Sequence, residues 1–216
     1  LLLIGPQTAA MFLTDLGVNP EGNPSTELSH LWHDGASAPI KGPAQRVALA
    51  QDGQGFGGLQ PTATAQTAPP PAATAARLGK GRIAAMWFCL GQSYAGARNE
   101  VVRRFTRDLV RALFPEPIVE VNGSADVDVC VARKDGRLLV NLVNASGPHQ
   151  SQPIFDSVAS VGPLEIVIRQ ASRPARVTLE PGNRPLPFEH RDGQIRLVVP
   201  KVDIHDVILV EPRPQG

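Results

Sequence analysis

The stretch that most constrains this chain runs from Gly79 to Phe114. A Gly79-Lys80-Gly81 turn opens an unbroken apolar run, Ile83-Ala84-Ala85-Met86-Trp87-Phe88-Cys89-Leu90. Such a run, bounded by glycines, predicts a strand over 83–90 buried on both faces, as in a parallel sheet covered by helices. A Gly-rich turn follows, then a helix beginning near Asn99, a suitable N-cap, with Glu100 in its first turn. Val101, Val102, Phe105, Leu109, Ala112 and Leu113 form an apolar stripe at helical spacing, and Pro115 and Pro117 end the helix. Arg103, Arg104, Arg107 and Arg111 fall mostly on the other side. Without interleaved aromatics they read as a solvated face, with Arg104 and Asp108 paired at i, i+4, rather than as a nucleic-acid surface.

The chain has 216 residues, enough for one large domain or two small ones. Charge density changes along it. Residues 1–95 hold five basic and five acidic side chains, out of 21 and 20 in the whole chain. That shift supports a boundary beside the helix, giving an α/β domain over 1–115 and an all-β domain over 116–216. The formal net charge of +1 gives no global field for nucleic acid or membrane. No run reaches the roughly 18–20 apolar residues that span a bilayer. The opening Leu1-Leu2-Leu3-Ile4-Gly5-Pro6 lacks a basic n-region and does not read as a signal peptide. It reads as a buried strand entered part-way, so the chain is expected to be a fragment preceded by a larger protein, with a cytoplasmic location favoured.

Leu1–Ile4 is a predicted strand. Pro6 to Leu16 is a short helix closed by Gly17. Residues 18–40 are turn-rich, 44–50 form a candidate strand, and 51–77, rich in Gly, Pro, Thr and Ala, read as a long surface loop. Beyond Pro117 the period becomes two. Val127, Val129 and Val131 alternate with Asp126, Asp128 and Cys130 in a half-buried strand. Asp135-Gly136 and Asp192-Gly193 are two-residue hairpin signals. About eight short strands with turn chemistry between them predict an antiparallel β-sandwich.

Chemistry is harder to find. Gly91-Gln92-Ser93-Tyr94-Ala95 resembles a nucleophile elbow, with His149, His190, His205 and Asp203 as downstream candidates for a triad. Hairpins stand where that fold needs further βα units, so a serine hydrolase using Ser93 is only an alternative. His30, Trp32, His33 and Asp34 lie close together and could line a sugar subsite. A carbohydrate-binding module in the sandwich is a third reading, limited by having only Phe155 and Phe188 as aromatics. Gly79-Lys80-Gly81 lacks the spacing of a P-loop. Asn122-Gly123-Ser124 and Asn144-Ala145-Ser146 match glycosylation sequons by pattern only. Cys89 and Cys130 read as two buried free thiols, with a single disulfide as the alternative. No catalytic, cofactor-binding or metal-ligating residue is assigned, and no cofactor is expected.

Four segments carry a family resemblance. Leu1-Leu2-Leu3-Ile4-Gly5-Pro6 resembles the strand after the "GG" helix of a glutamine-amidotransferase-like domain. Gly79-Lys80-Gly81-Arg82-Ile83-Ala84, with Tyr94 shortly after, resembles its late strand. Gly136 to Asn144, and Arg173-Pro174-Ala175-Arg176-Val177 through Val210, resemble strands of a terminal β-sandwich. Together they resemble the C-terminal part of bacterial multidomain glycoside hydrolases, of the family 42 β-galactosidase and α-L-fucosidase-like kind. The resemblance implies a partial amidotransferase-like α/β domain without amidotransferase activity, followed by a small sandwich. It also implies catalytic carboxylates in an upstream barrel acting on glycosides. The partners it implies are that upstream domain, the parent's carbohydrate substrate and other copies in a homo-oligomer, with no nucleic acid and no membrane.

Overall fold

The computed structural model describes residues 1–50, 53–64, 67–95, 97–147 and 157–213. It is mostly β, with several sheets, and forms two compact units, Leu1–Glu116 and Pro117–Gly216.

In the first unit, β1 (Leu2–Ile4) leads into α1 (Pro6–Ala9), a 3-10 turn and α2 (Leu13–Leu16). Gly17 ends this helical stretch in the left-handed region, as its position predicts. Residues 18–40 are not merely turns. They form β2 (Val18–Ser25), β3 (His30–His33) and β4 (Ala36–Pro39). Asp34-Gly35 closes β3 and β4 into a hairpin, both residues having positive φ. β2 contains Pro20 and Pro24, which remove ladder donors, and among the described residues its only partner is β5 (Ala44–Leu49).

The predicted surface loop over 51–77 is also corrected. It contains β6 (Gln54–Phe56), β7 (Gly58–Gln60) and the start of β8 (Ala73–Leu78). Ala72, Ala73, Thr74 and Ala75 are buried. Small side chains give no apolar periodicity, yet here they form a strand at the centre of the core.

The apolar run becomes β9 (Gly81–Met86). It lies between β1, parallel, and β8, antiparallel, in a sheet ordered β1-β9-β8-β6. The sheet is therefore mixed rather than parallel. The strand stops at Met86, although Trp87 and Phe88 stay buried. The expected turn after it is a helix, α3 (Leu90–Ala95). The long helix, α4 (Glu100–Leu113), is capped by Asn99, whose side chain accepts from the Val101 N–H at 2.8 Å. Val102, Phe105 and Leu109 are its fully buried positions. Phe105 packs on Phe88 (5.9 Å between ring centres) and edge-on to His33 (5.3 Å).

The second unit contains β10 (Val119–Asn122), β11 (Val127–Lys134), β12 (Arg137–Asn144), β13 (Leu164–Arg169), β14 (Arg176–Glu180), β15 (Arg184–Pro185), β16 (Phe188–Arg191), β17 (Gln194–Val199) and β18 (His205–Glu211). They form two antiparallel sheets, β10-β13-β17-β16 and β11-β12-β18-β14-β15. Leu138, Val140 and Ile208 of one sheet share a core with Ile166, Ile195 and Val199 of the other. Both Asp-Gly pairs close two-residue turns, and all four residues have positive φ.

Strand β11 departs from expectation. Val129 and Val131 stand opposite the buried Leu142 and Val140, so they do face the core side. β11 is an edge strand, however, and both valines are exposed. Cys130 alternates with them and points away from the core, where it is exposed, and Cys89, just past β9, is half-buried, so the two free thiols are not core residues.

Candidate functional site

Ser93 is not an exposed nucleophile. It is buried inside α3, donates to the Cys89 carbonyl at 2.7 Å, and accepts from the Lys41 amide at 3.0 Å. Its hydroxyl ties a helical turn to the chain at Lys41. The histidines proposed to serve it are engaged elsewhere. His190 Nε2 lies 2.9 Å from the Gln170 carbonyl, and His205 Nε2 lies 3.3 Å from Asn141 Oδ1. Asp203 is held below the usual carboxylate range by hydrogen bonds from Ser160 and Lys201. His149 lies outside the described residues. Among the described residues the serine hydrolase reading therefore has no assembled triad to rest on.

The β3–β4 hairpin brings together more chemistry. His33 Nε2 is 3.0 Å from Asp108 Oδ2 on α4. An ionised carboxylate only accepts, so the imidazole donates through Nε2. Partial burial pushes the Asp108 carboxyl up, but hydrogen bonds from His33 and Arg107 outweigh it and hold it below its ordinary range. Arg104 reaches Asp34 at 3.3 Å and Asp108 meets His33, so cross-element pairs replace the expected Arg104–Asp108 pair. Arg103 instead pairs with Glu100, whose carboxyl that hydrogen bond holds down.

Strand alternation separates the four hairpin residues. Leu31 and His33 face α4 and the core, whereas His30 and Trp32 share the opposite face. Gln60 on β7 stands directly across from His30, and Gly58 across from Trp32. Gly58 has no room for a side chain, because a Cβ there would lie 2.4 Å from the ring of Pro69. Gln60 is fully buried, and among the described residues neither its amide nitrogen nor its oxygen has a partner. A half-buried indole, an imidazole and an amide with both hydrogen-bonding functions unused therefore lie on one face. The half-buried indole offers a stacking face to a polyhydroxylated ligand, whereas the Gln60 amide lies beneath the surface, out of a ligand's reach. Gln60 lay in a stretch read as loop, and nothing in Leu59-Gln60-Pro61 marks it.

In the second unit a groove of about 870 Å³ is lined by Glu165, Val167, Arg184, Phe188, Arg196 and Val198, among others. Phe188 packs partly against the core, and Arg173 lies over its ring at 5.2 Å. That ring is not a free platform for a sugar, and Phe155 lies outside the described residues. Of the sequons, Asn122 is exposed, whereas Asn144 is spent on Ala159, Asp203 and Ser146. The Gly79-Lys80 turn joins β8 and β9 as an ordinary hairpin. Among the described residues no cluster of three metal-ligating side chains occurs, and no helix is long and apolar enough to cross a membrane.

Comparison with known proteins gives the fold. No protein-family model matches the chain, and no curated protein is similar to it in sequence. Among solved structures, α-L-fucosidase isoenzyme 2 from Paenibacillus thiaminolyticus matches 92% of the chain with TM-score 0.72 and 17% identity. A GH42 β-galactosidase from G. stearothermophilus matches 92% with TM-score 0.49 and 16% identity. A β-galactosidase from Bacillus circulans sp. alkalophilus matches 92% with TM-score 0.46 and 11% identity. The chain spans 34% of the fucosidase and about a quarter of each galactosidase. Its fold is thus that of a region within a glycosidase.

Proposed function

We propose that this chain is the non-catalytic C-terminal portion of a glycoside hydrolase, giving structural and oligomerising support to a catalytic barrel upstream. Its first unit is read as a partial amidotransferase-like domain and its second as the terminal sandwich. The observation that carries this is the fucosidase likeness, which runs through both units over 92% of the chain. The buried Ser93 and the engaged histidines are consistent with it. In this reading the half-buried His30 and Trp32 of β3 are the side chains of the first unit best placed to meet a sugar.

The test has two arms. The purified chain is assayed with aryl α-L-fucosides, aryl β-galactosides and aryl esters, and the reading frame upstream of Leu1 is determined. The expected outcome is no turnover, with a barrel-sized segment encoded upstream. Turnover abolished by Ser93→Ala would refute the non-catalytic reading. An upstream frame too short for a barrel would refute the placement.

A further inference from the structure

We propose that the open edge of β11 is a homotypic docking site, at which two copies of this chain pair antiparallel about a two-fold axis through Cys130. The inference deepens the oligomerising part of the reading above, but rests on different observations. Its failure would leave the glycosidase assignment untouched.

Among the described residues β11 pairs only with β12, over eight residues with no shift in register and no proline. The unit's other sheet edges are shorter. β15 has two residues, one of them Pro185, while β10 and β16 have four each. Natural sheets blunt long regular edges, because an unpaired row of N–H and C=O groups templates another strand.

The direction of that row follows from the turn. In a two-residue hairpin the flanking pair, Lys134 and Arg137, exchanges hydrogen bonds, and the pattern recurs at every second residue. Even-numbered residues of β11 therefore bond to β12. The Ala145 amide donates to the Asp126 carbonyl at 2.8 Å, in keeping with this parity. The main-chain groups of Val127, Val129, Val131 and Arg133 are left on the open edge.

The side chains then select the occupant. Acids stand at the start of β11, Asp126 just before the strand and Asp128 within it, and bases, Arg133 and Lys134, at its end. A parallel copy would place like charges together. An antiparallel copy places acids beside bases at both ends, so the edge is complementary to itself. Centring the pair on Cys130 uses all four outward residues, for about eight main-chain hydrogen bonds. Val129 then faces Val131 of the second copy on the core side, which covers the two exposed valines. Asp126 faces Lys134. Cys130 faces Cys130 as a pair without main-chain bonds, the closer of the two antiparallel spacings. One strand edge buries little area, so the association is weak and concentration-dependent.

The test is sedimentation equilibrium of the whole chain from about 10 μM to 1 mM, the range suited to a small interface. The expected result is a monomer–dimer equilibrium, weakened about tenfold or more by Val131→Pro. That proline removes a donor with no partner inside the chain. In case the proline disturbs the hairpin, a second variant carries Asp126→Lys and Asp128→Lys. It should weaken the dimer, and adding Arg133→Glu and Lys134→Glu should restore it. Diamide, which accepts the two electrons and two protons, should join two Cys130 thiols into a disulfide-linked dimer absent from Cys130→Ser. A monomer at every concentration overturns the proposal, as does a dimer indifferent to both edge variants. In either case any partner of this edge is a different chain. A dimer sensitive to the variants but never cross-linked through Cys130 overturns the register.

Discussion

Replacing Phe105 with alanine removes the ring on which the first core closes. The side chain is 1% exposed and touches Phe88 and His33, with Gly57 close behind it. A Cβ on Gly57 would lie 2.9 Å from the Phe105 ring, so the backbone there leaves only enough space for the native pair. Burying a phenylalanine removes roughly 150–200 Å² from water, which at about 25 cal/mol/Å² is at most about 4–5 kcal/mol. The alanine methyl keeps part of that, while lost aromatic contacts and an unfilled cavity add to the cost. The expected loss is about 3–5 kcal/mol. Trp32 and Trp87, the chain's two tryptophans, both lie in the first unit. Urea unfolding followed by tryptophan fluorescence therefore reports on that unit alone. A loss under about 1 kcal/mol would show that the Val102/Phe105/Leu109 stripe is not the seam of this core.

Gly136→Val should destabilise the second unit, because Gly136 has φ 74° and a β-branched residue resists that conformation. Limited proteolysis should then cut the second unit, and cleavage spreading at once through residues 1–114 would show a single cooperative unit. Asp108 is held below its ordinary range, so its contribution is present above the unfolded carboxyl's value, about 4, and is lost as pH falls through the lower folded value. The side chain is 40% exposed, which limits that contribution to under about 1 kcal/mol. The stability gap between the native chain and Asp108→Asn should therefore close in acid, and a gap unchanged from pH 7 to pH 2 would disprove the linkage. Ser93→Ala should cost about 1–3 kcal/mol by leaving the Lys41 amide unpaired, and a neutral result in thermal unfolding would mean that water replaces the hydroxyl.

What could be read in advance was whatever carried a strong local signal. Asn99 with the stripe through Leu109 specifies α4, because cap chemistry and 3.6-residue spacing agree. Asp135-Gly136 and Asp192-Gly193 specify two turns, because few residues tolerate positive φ in succession. Residues 44–50 read as a strand and Ala44–Leu49 form one, but 18–40 and 51–77 were opaque for the opposite reason. Ala73 to Ala75 form the buried start of a strand without a large side chain, and β2 persists through two prolines at the edge of its ladder with β5. The pairing of His33 with Asp108 spans 75 residues, and no spacing rule reaches that far. Gln60 was invisible because its interest lies in lacking partners, which only the folded arrangement reveals.

The parallel ladder between β1 and β9 also sets an order of events in synthesis. The Leu1 nitrogen donates to the Arg82 carbonyl across 81 residues of chain. At about 5–20 residues per second, β1 emerges roughly 4–16 s before the strand it must pair with. Throughout that interval its leucines have no sheet to join, whereas the hairpins of the second unit close within a few residues of being made. Pairing of β1 is therefore timed by translation through Met86 and closure of the first core by translation through Leu113, and slow codons between Ala50 and Ala72 would lengthen the exposure of β1 without altering the final fold.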